Sequence, residues 1–368
     1  MSQHSEMWER LFSSVSCEPS TSFEWTEALT RSHVERTDRF LLLRVCSGTE
    51  VTGLLPLVAR RVSLLGYPVV MLSPLGELYN THSDLLSREM SEDTVSAIVS
   101  ALLALDEPWD VFRMSKLLDG HPFLHHVGSC LANRRTTRQI RTGHGSYFLA
   151  LPSTYEEYLA KRGSKFRNHL KRSEKKIASH GTAEVLDGSK PSDVANSYER
   201  LLQIERASWK HAHGTSISAV KRQSRFYHDL CEGAARRGRL HLQFLTIGGN
   251  PVAYNLGYLA NGRYSYLKTS YDEQYKPLGV ATYLRARLIE SLIGSGVTEV
   301  DFPAEPYEWE RQWTETVRWH KVLSVYRATP AGVALSWIDR LRHRPDRPRR
   351  VEHVDPRALV SARLQPLK

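Results

Sequence analysis

The chain has 368 residues, 41% of them hydrophobic and 24% charged, with a net charge of +10, a length and composition that suit two folded domains and exclude a wholly disordered chain. No stretch approaches 18 consecutive apolar residues, and Met1–Ser20 is polar and mixed in charge, so neither a membrane span nor a secretory signal is expected. Cys17, Cys46, Cys130 and Cys231 are far apart and in no ligand spacing, which points to a reduced cytoplasm, no disulfide framework and no metal.

Residues 1–147 read as a mixed α/β unit. Trp8–Phe12 and Phe23–Leu29 have the spacing of short helices. Strands are expected at Phe40–Cys46, Val51–Arg61, Val69–Leu72 and Trp109–Met114, with a helix over Thr94–Leu105. No catalytic constellation stands out here. His125-His126 has no Asp, Glu or Cys at ligand spacing and reads as polar surface. Asn133–Thr142, basic and β-branched, is expected to link the two halves.

Residues 148–328 form the second half. Tyr147–Leu151 reads as a strand, and Ser153 is the expected cap of a helix carrying Tyr155, Tyr158 and Leu159. Residues 161–176 hold eight Lys/Arg and one Glu. Phe166, Leu170 and Ile177 make one thin apolar stripe through this segment, so it is either a solvated amphipathic helix or a helix that faces phosphates. Helices follow at Pro191–Trp209 and Ile217–Arg236, then strands at Leu240–Ile247 and Val252–Leu259, joined by the tight turn Gly248-Gly-Asn-Pro251. Asn261-Gly262 signals a hairpin into a third strand around Tyr264–Leu267. Residues 329–368 are expected to be a helix and a basic tail. Pro345, Pro348 and Pro356 break that tail, leaving only Ala358–Leu364 able to form a short helix, and truncation after Leu341 should leave activity and stability intact.

Between the third strand and a helix opening at Gly279 lies Lys276-Pro-Leu-Gly279-Val280-Ala281. Ala281, Leu284, Leu288 and Leu292 fall on one helical face, Gly294 and Gly296 end the helix, and Thr298–Phe302 has the composition of a buried parallel strand. A glycine at a helix start lets a ligand approach free N–H groups at the positive end of the helix dipole, a site suited to a pyrophosphate. A bulky residue at Gly279 should therefore block donor binding and leave the fold nearly intact.

Several segments together resemble the GNAT acyltransferase superfamily, in particular its BioF2-like or CelD/BcsL-type branch, related to the FemABX aminoacyl transferases. Lys276–Ala281 resembles the acyl-CoA loop, with Lys276 where Gln or Arg is usual. Ser164–Arg172 is similar to the branch's Arg-Asn-Leu-Arg-Arg helix, and Glu205-Arg-Ala-Ser-Trp209-Lys210 to its Glu-x-x-Ser-Trp-Lys segment. Gly249–Ala253, Tyr271–Tyr275 and Asp301-Phe302 match its hairpin, its Tyr-Asp-x-x-Tyr loop and its Asp strand end. Trp309–Trp313 departs from the pattern: Trp and Glu stand where Tyr and Lys are usual.

The resemblance implies an α/β fold of tandem GNAT-like halves, the second carrying the acyl-CoA loop. It implies an acyltransferase that moves an acyl group, expected to be acetyl, from acetyl-CoA or another acyl-CoA to an amine or hydroxyl of a small molecule or sugar. Lys276, Gly279, Val280 and Ala281 would hold the donor. Glu205 or Asp301 would be the acceptor-side carboxylate, Tyr307 the acid for the departing thiolate, and Arg167, Asn168 and Trp209 would contact substrate. Two alternatives stay open: a tRNA-dependent aminoacyl or peptidyl transferase of FemABX-like type, and a non-catalytic GNAT-like binding module. The acceptor and the oligomeric state are not legible.

Overall fold

The computed structural model describes residues 4–64, 67–75, 79–132, 134–303 and 306–342; the expected tail, with its Ala358–Leu364 helix, lies outside the described residues. The chain divides into two compact units, one containing the residues before Tyr147 together with a return segment from Arg318, the other containing Tyr147–Val317.

The first unit opens with α1 (Ser5–Ser14), which buries Trp8, Leu11 and Phe12 at helical spacing, and α2 (Phe23–His33). Strands β1 (Arg39–Ser47), β2 (Glu50–Leu64) and β3 (Tyr67–Pro74) follow as an antiparallel meander. The two-residue β4 (Leu86–Ser87) pairs with β2. Helix α3 (Glu92–Leu103) starts at Ser91, whose side chain accepts from the N–H of Thr94, and leads to β5 (Val111–Leu118), parallel to β3. Helix α4 (Pro122–Leu131) carries His125 and His126. It is followed by β6 (Thr136–Ala150), so most of the segment expected to be a linker is strand. Its side chains alternate between exposed and half-buried up to His144, a surface too polar on both faces to show apolar alternation in the sequence.

The second unit contains α5 (Tyr155–Ala160), α6 (Ser164–Ala178), β7 (Ala183–Asp187), α7 (Val194–Arg206), α8 (Trp209–Ala212) and α9 (Lys221–Arg236). Then come β8 (Leu240–Ile247), β9 (Asn250–Ala260), β10 (Arg263–Tyr271), α10 (Val280–Gly294) and β11 (Glu299–Asp301). The cap of α5 is Thr154, whose hydroxyl accepts from Glu157 N–H at 3.1 Å, rather than the expected Ser153. Strands β7 to β10 pair antiparallel in sequence order, and β11 returns parallel to β10 after α10. Phe148–Ala150, the end of β6, pairs antiparallel with β11. The chain closes with β12 (Val317–Arg327) and α11 (Pro330–Arg342); from Arg318 they belong to the first unit, where β12 pairs with β5.

The fold is mixed α/β, as the sequence implied, and its repetition is visible in the strand order. Each unit has helices, then three antiparallel strands, then a helix, then a strand parallel to the third. In the first unit this is β1-β2-β3-α3-β5, in the second β8-β9-β10-α10-β11. The core of the first packs Leu57, Leu72, Ile98, Phe112 and Phe123 against Leu323 and Val325 of β12.

Candidate active site

The connection from β10 to α10 is built by local polar geometry. Asp272 Oδ1 accepts from the N–H of Gln274 at 2.9 Å and starts a 3₁₀ turn, Glu273–Leu278. Gly279 then adopts φ +76°, ψ 31°, a left-handed conformation open to glycine, and turns the chain into α10. The first bond of the helix runs from Tyr283 N–H to the Gly279 carbonyl at 3.0 Å, and no side chain caps the helix. The N–H groups of Val280, Ala281 and Thr282 therefore head an uncapped dipole, an arrangement that can hold an anionic group. Lys276 stands 63% exposed and pairs with Glu273 at 3.3 Å.

Helix α6 lies against this turn. Its buried Ile177 shares an apolar cluster with Leu278, Val280 and Leu284. Lys176 Nζ donates to the Pro277 carbonyl at 3.0 Å. A Cβ on Gly279 would come within 2.3 Å of Ser173 Oγ. This corrects the expectation that a bulky residue at Gly279 spares the fold: both φ and the approach of α6 require the glycine. Lys165, Lys171, Arg172 and Lys175 remain exposed on α6. Arg167 instead donates to the carbonyls of Arg162 and of Leu159 and so closes the end of α5. Asn168 is exposed, and its carbonyl accepts from Arg172 Nε at 3.3 Å.

The opposite sheet face carries the carboxylates. Asp301 sits in register with Ser265, which faces Tyr258; Tyr254 is four residues back on the same strand and face. The Tyr254 hydroxyl donates to Glu205 Oε1 at 2.6 Å. Glu205 is completely buried, and it also accepts from Lys210 Nζ at 3.4 Å and from the N–H of Ile217 at 2.8 Å. Burial pushes its carboxyl up, but Lys210, Lys268, the Tyr254 hydroxyl and the Ile217 N–H outweigh that and hold it below its usual value. Lys210 Nζ further donates to the Thr269 carbonyl, so Glu205 and Lys210 tie α7 to β9 and β10. Trp209, half-buried, sits edge-on to His213 with ring centroids 5.7 Å apart.

Pairing between β10 and β11 covers only Arg263–Ser265 with Glu299–Asp301, while β10 continues to Tyr271. The register of β10 shifts between Tyr266 and Lys268, leaving Leu267 as an inserted residue. Among the described residues, then, β10 has no strand on its β11 side beyond Ser265. Asp301 is buried at the mouth of this divergence. Tyr307 lies on the segment after β11, half-buried and stacked near-parallel on Trp309. Its N–H donates to Glu310 Oε2 at 3.2 Å.

Sequence reasoning missed Arg285. Buried on α10, its guanidinium lies 3.9 Å from the Trp309 ring centroid and 5.3 Å from that of Trp313, while Nε donates to the Tyr266 hydroxyl at 3.2 Å. The signal was an arginine interrupting the apolar face Ala281–Leu284–Leu288. The altered Trp309–Trp313 segment thus supplies an aromatic enclosure for that arginine.

The sequence model of the family described as "Acetyltransferase (GNAT) domain" matches residues 164–311, which contain the turn, both carboxylates and Tyr307. No curated protein matches the chain. Among solved structures, FemX aligns over 92% of this chain and 98% of its own, with TM-score 0.61 and 10% identity. The C-terminal domain of a protein described as a lysylphosphatidylglycerol synthetase from Agrobacterium fabrum aligns over 92% and 95%, with TM-score 0.55 and 13% identity. L-PGS from Bacillus licheniformis aligns over 89% and 98%, with TM-score 0.52 and 13% identity. Residues 164–311 therefore match the GNAT acetyltransferase domain, and the chain shares the fold of FemX.

Proposed function

We propose that the protein transfers an acyl group, acetyl in the simplest case, from acyl-CoA to an amine, or less often a hydroxyl, of a small molecule or sugar. The observation that carries this reading is the uncapped start of α10 behind left-handed Gly279, placed at the end of a strand that diverges from its parallel neighbour. Val280, Ala281 and Thr282 would hold the diphosphate, and the donor would supply an activated thioester. An N–H of β10 beyond Ser265 would polarise the thioester carbonyl, and holding acceptor and donor together would provide most of the acceleration. Asp301 would take the proton of the attacking amine, and Tyr307 would protonate the departing thiolate. Glu205, buried with its oxygens occupied, suits the role of an anchor for α7 better than that of a base.

Ala281→Glu tests the donor site. A carboxylate in the first turn favours the helix dipole but repels phosphate, so the melting temperature should hold while acetyl-CoA affinity in calorimetry falls at least about tenfold, a loss of about 1.4 kcal/mol. Unchanged affinity would remove the donor assignment. Donor binding without turnover across a panel of amines, read by intact mass, would instead favour the non-catalytic module.

The exposed lysines and arginine of α6, beside the donor turn, support a second reading: transfer from an aminoacyl-tRNA, as in FemABX-like enzymes. Each backbone phosphate contacted would add about 0.7–0.9 to the slope of log K against log salt. Steep binding of total tRNA that Lys171→Glu and Arg172→Glu each flatten by about one unit would establish this reading over the first.

A further inference from the structure

Helix α11 presents an apolar face to solvent. Val333, Trp337 and Leu341, one turn apart, are 45%, 60% and 79% exposed. The helix cannot roll to hide them, because its opposite side is fixed within the first unit. Gly332, Leu335, Ser336 and Asp339 are buried. Asp339 accepts from Arg113 at 2.5 Å and from the Tyr326 hydroxyl, and the Ser336 carbonyl accepts from Gln139 at 2.6 Å. A Cβ on Gly332 would lie 2.2 Å from the Arg327 carbonyl, so the helix already sits as close to the sheet as its backbone allows.

Positive charge marks the C-terminal end of the stripe. Arg340 lies over the Trp337 ring at 5.8 Å, and Arg342 is exposed at the helix end. From Arg340 to Arg350 the sequence holds six arginines and one aspartate. A ridge of Val, Trp and Leu flanked by arginines has the composition of a helix lying in a lipid interface: apolar side chains among acyl chains, tryptophan at headgroup depth, arginines on anionic headgroups. A nucleic acid would use the arginines but not the aliphatic ridge. Among the described residues no helix is long and apolar enough to cross a membrane, so attachment would be to a surface.

We propose that the outer face of α11, with Arg340 and Arg342 at its end, docks the protein on a membrane surface rich in anionic lipid. The test is co-sedimentation of the full chain with vesicles of phosphatidylcholine alone or with about a third phosphatidylglycerol. Binding to the anionic vesicles should weaken as salt rises, since charges at a surface are screened. Trp337→Glu with Leu341→Glu should lower the partition coefficient at least about tenfold, with the melting temperature and acetyl-CoA affinity unchanged because both side chains stand on the exposed face of α11. Absence of binding, equal binding to neutral vesicles, or binding indifferent to the double variant would each overturn the proposal. So would concentration-dependent dimers in light scattering that the double variant abolishes, which would assign the face to a second copy. Faster tryptic cleavage beyond Arg342 in the double variant, with vesicle binding retained, would assign it to the chain's own C-terminal segment.

Discussion

Replacing Glu205 by glutamine separates an anchor from a base. Three donors converge on the carboxylate: the Tyr254 hydroxyl and Lys210 on Oε1, and the Ile217 N–H on Oε2. Glutamine keeps the shape but offers one acceptor oxygen, so its NH₂ must face either the Ile217 N–H or the Tyr254–Lys210 pair. Hydrogen bonds to a charged group contribute about 1.5–3 kcal/mol, and Lys210, 16% exposed, would also lose its counter-charge. A loss of about 3 kcal/mol in the second unit follows, or about 6–12 °C in its melting transition for a unit of this size. The pH dependence has a definite sign. Because the folded carboxyl is held below its usual 4.5, its stabilisation is present above that pH and is lost as pH falls through the folded value. Calorimetric melts between pH 3 and 7 should show the parent losing stability at the acid end, and Glu205→Gln should lose less over the same range. A variant that melts like the parent, binds acetyl-CoA normally and has lost turnover would refute the anchor and restore Glu205 as the base.

Other outcomes can be checked directly. Asp301→Asn should cut turnover by about a hundredfold, the range of general base catalysis, with acetyl-CoA affinity in calorimetry unchanged; retained turnover would move the base elsewhere. Gly279→Val should destabilise the second unit as well as abolish donor binding, through its φ and its contact with Ser173; an unchanged melt would show that α6 yields. His320 is buried in the first unit, with Nε2 2.9 Å from His82 Nδ1, and burial, then His82 and Lys116, push its pKa down to about 3. The unfolded chain therefore binds the proton first, and the first unit should lose about 1.4 kcal/mol per pH unit as pH falls from about 6.5. His320→Gln should flatten that acid limb in thermal melts. Asp339→Ala should destabilise the first unit by about 3 kcal/mol by removing the counter-charge of Arg113, measured by denaturant titration.

The second unit was the more legible part of the sequence, for identifiable reasons. Its turns are marked by residues with narrow backbone needs, Gly248-Gly249, Asn261-Gly262 and Gly279, and strands β8 and β9 are buried over most of their length, so their sequences are rich in Leu, Ile, Val and aromatic residues. Strands β6 and β12 were hidden because Arg138, Arg141, Arg318 and Lys321 interrupt any apolar alternation along them. The turn at Gly279 could be found locally, since its parts lie within ten residues. Neither the environment of Glu205, which depends on Tyr254, 49 residues on, nor the enclosure of Arg285 by Trp309 and Trp313 follows a short-range period. Only the assembled sheet brings those groups together.

The return of β12 and α11 to the first unit bears on how the chain is made. Among the described residues, those of the second unit are contiguous from Tyr147 to Val317, so that unit can close as soon as its last described strand leaves the ribosome. The first unit, although synthesised earlier, lacks a strand of its sheet until β12 arrives: Arg113 must wait for Ser324, 211 residues later, to form the bond at 3.1 Å that joins them. Until then β5 has an open edge and Phe112 and Met114 lack the cover of Leu323 and Val325. The half translated first is therefore completed last, and in the interval it is the part of the nascent chain most in need of a chaperone.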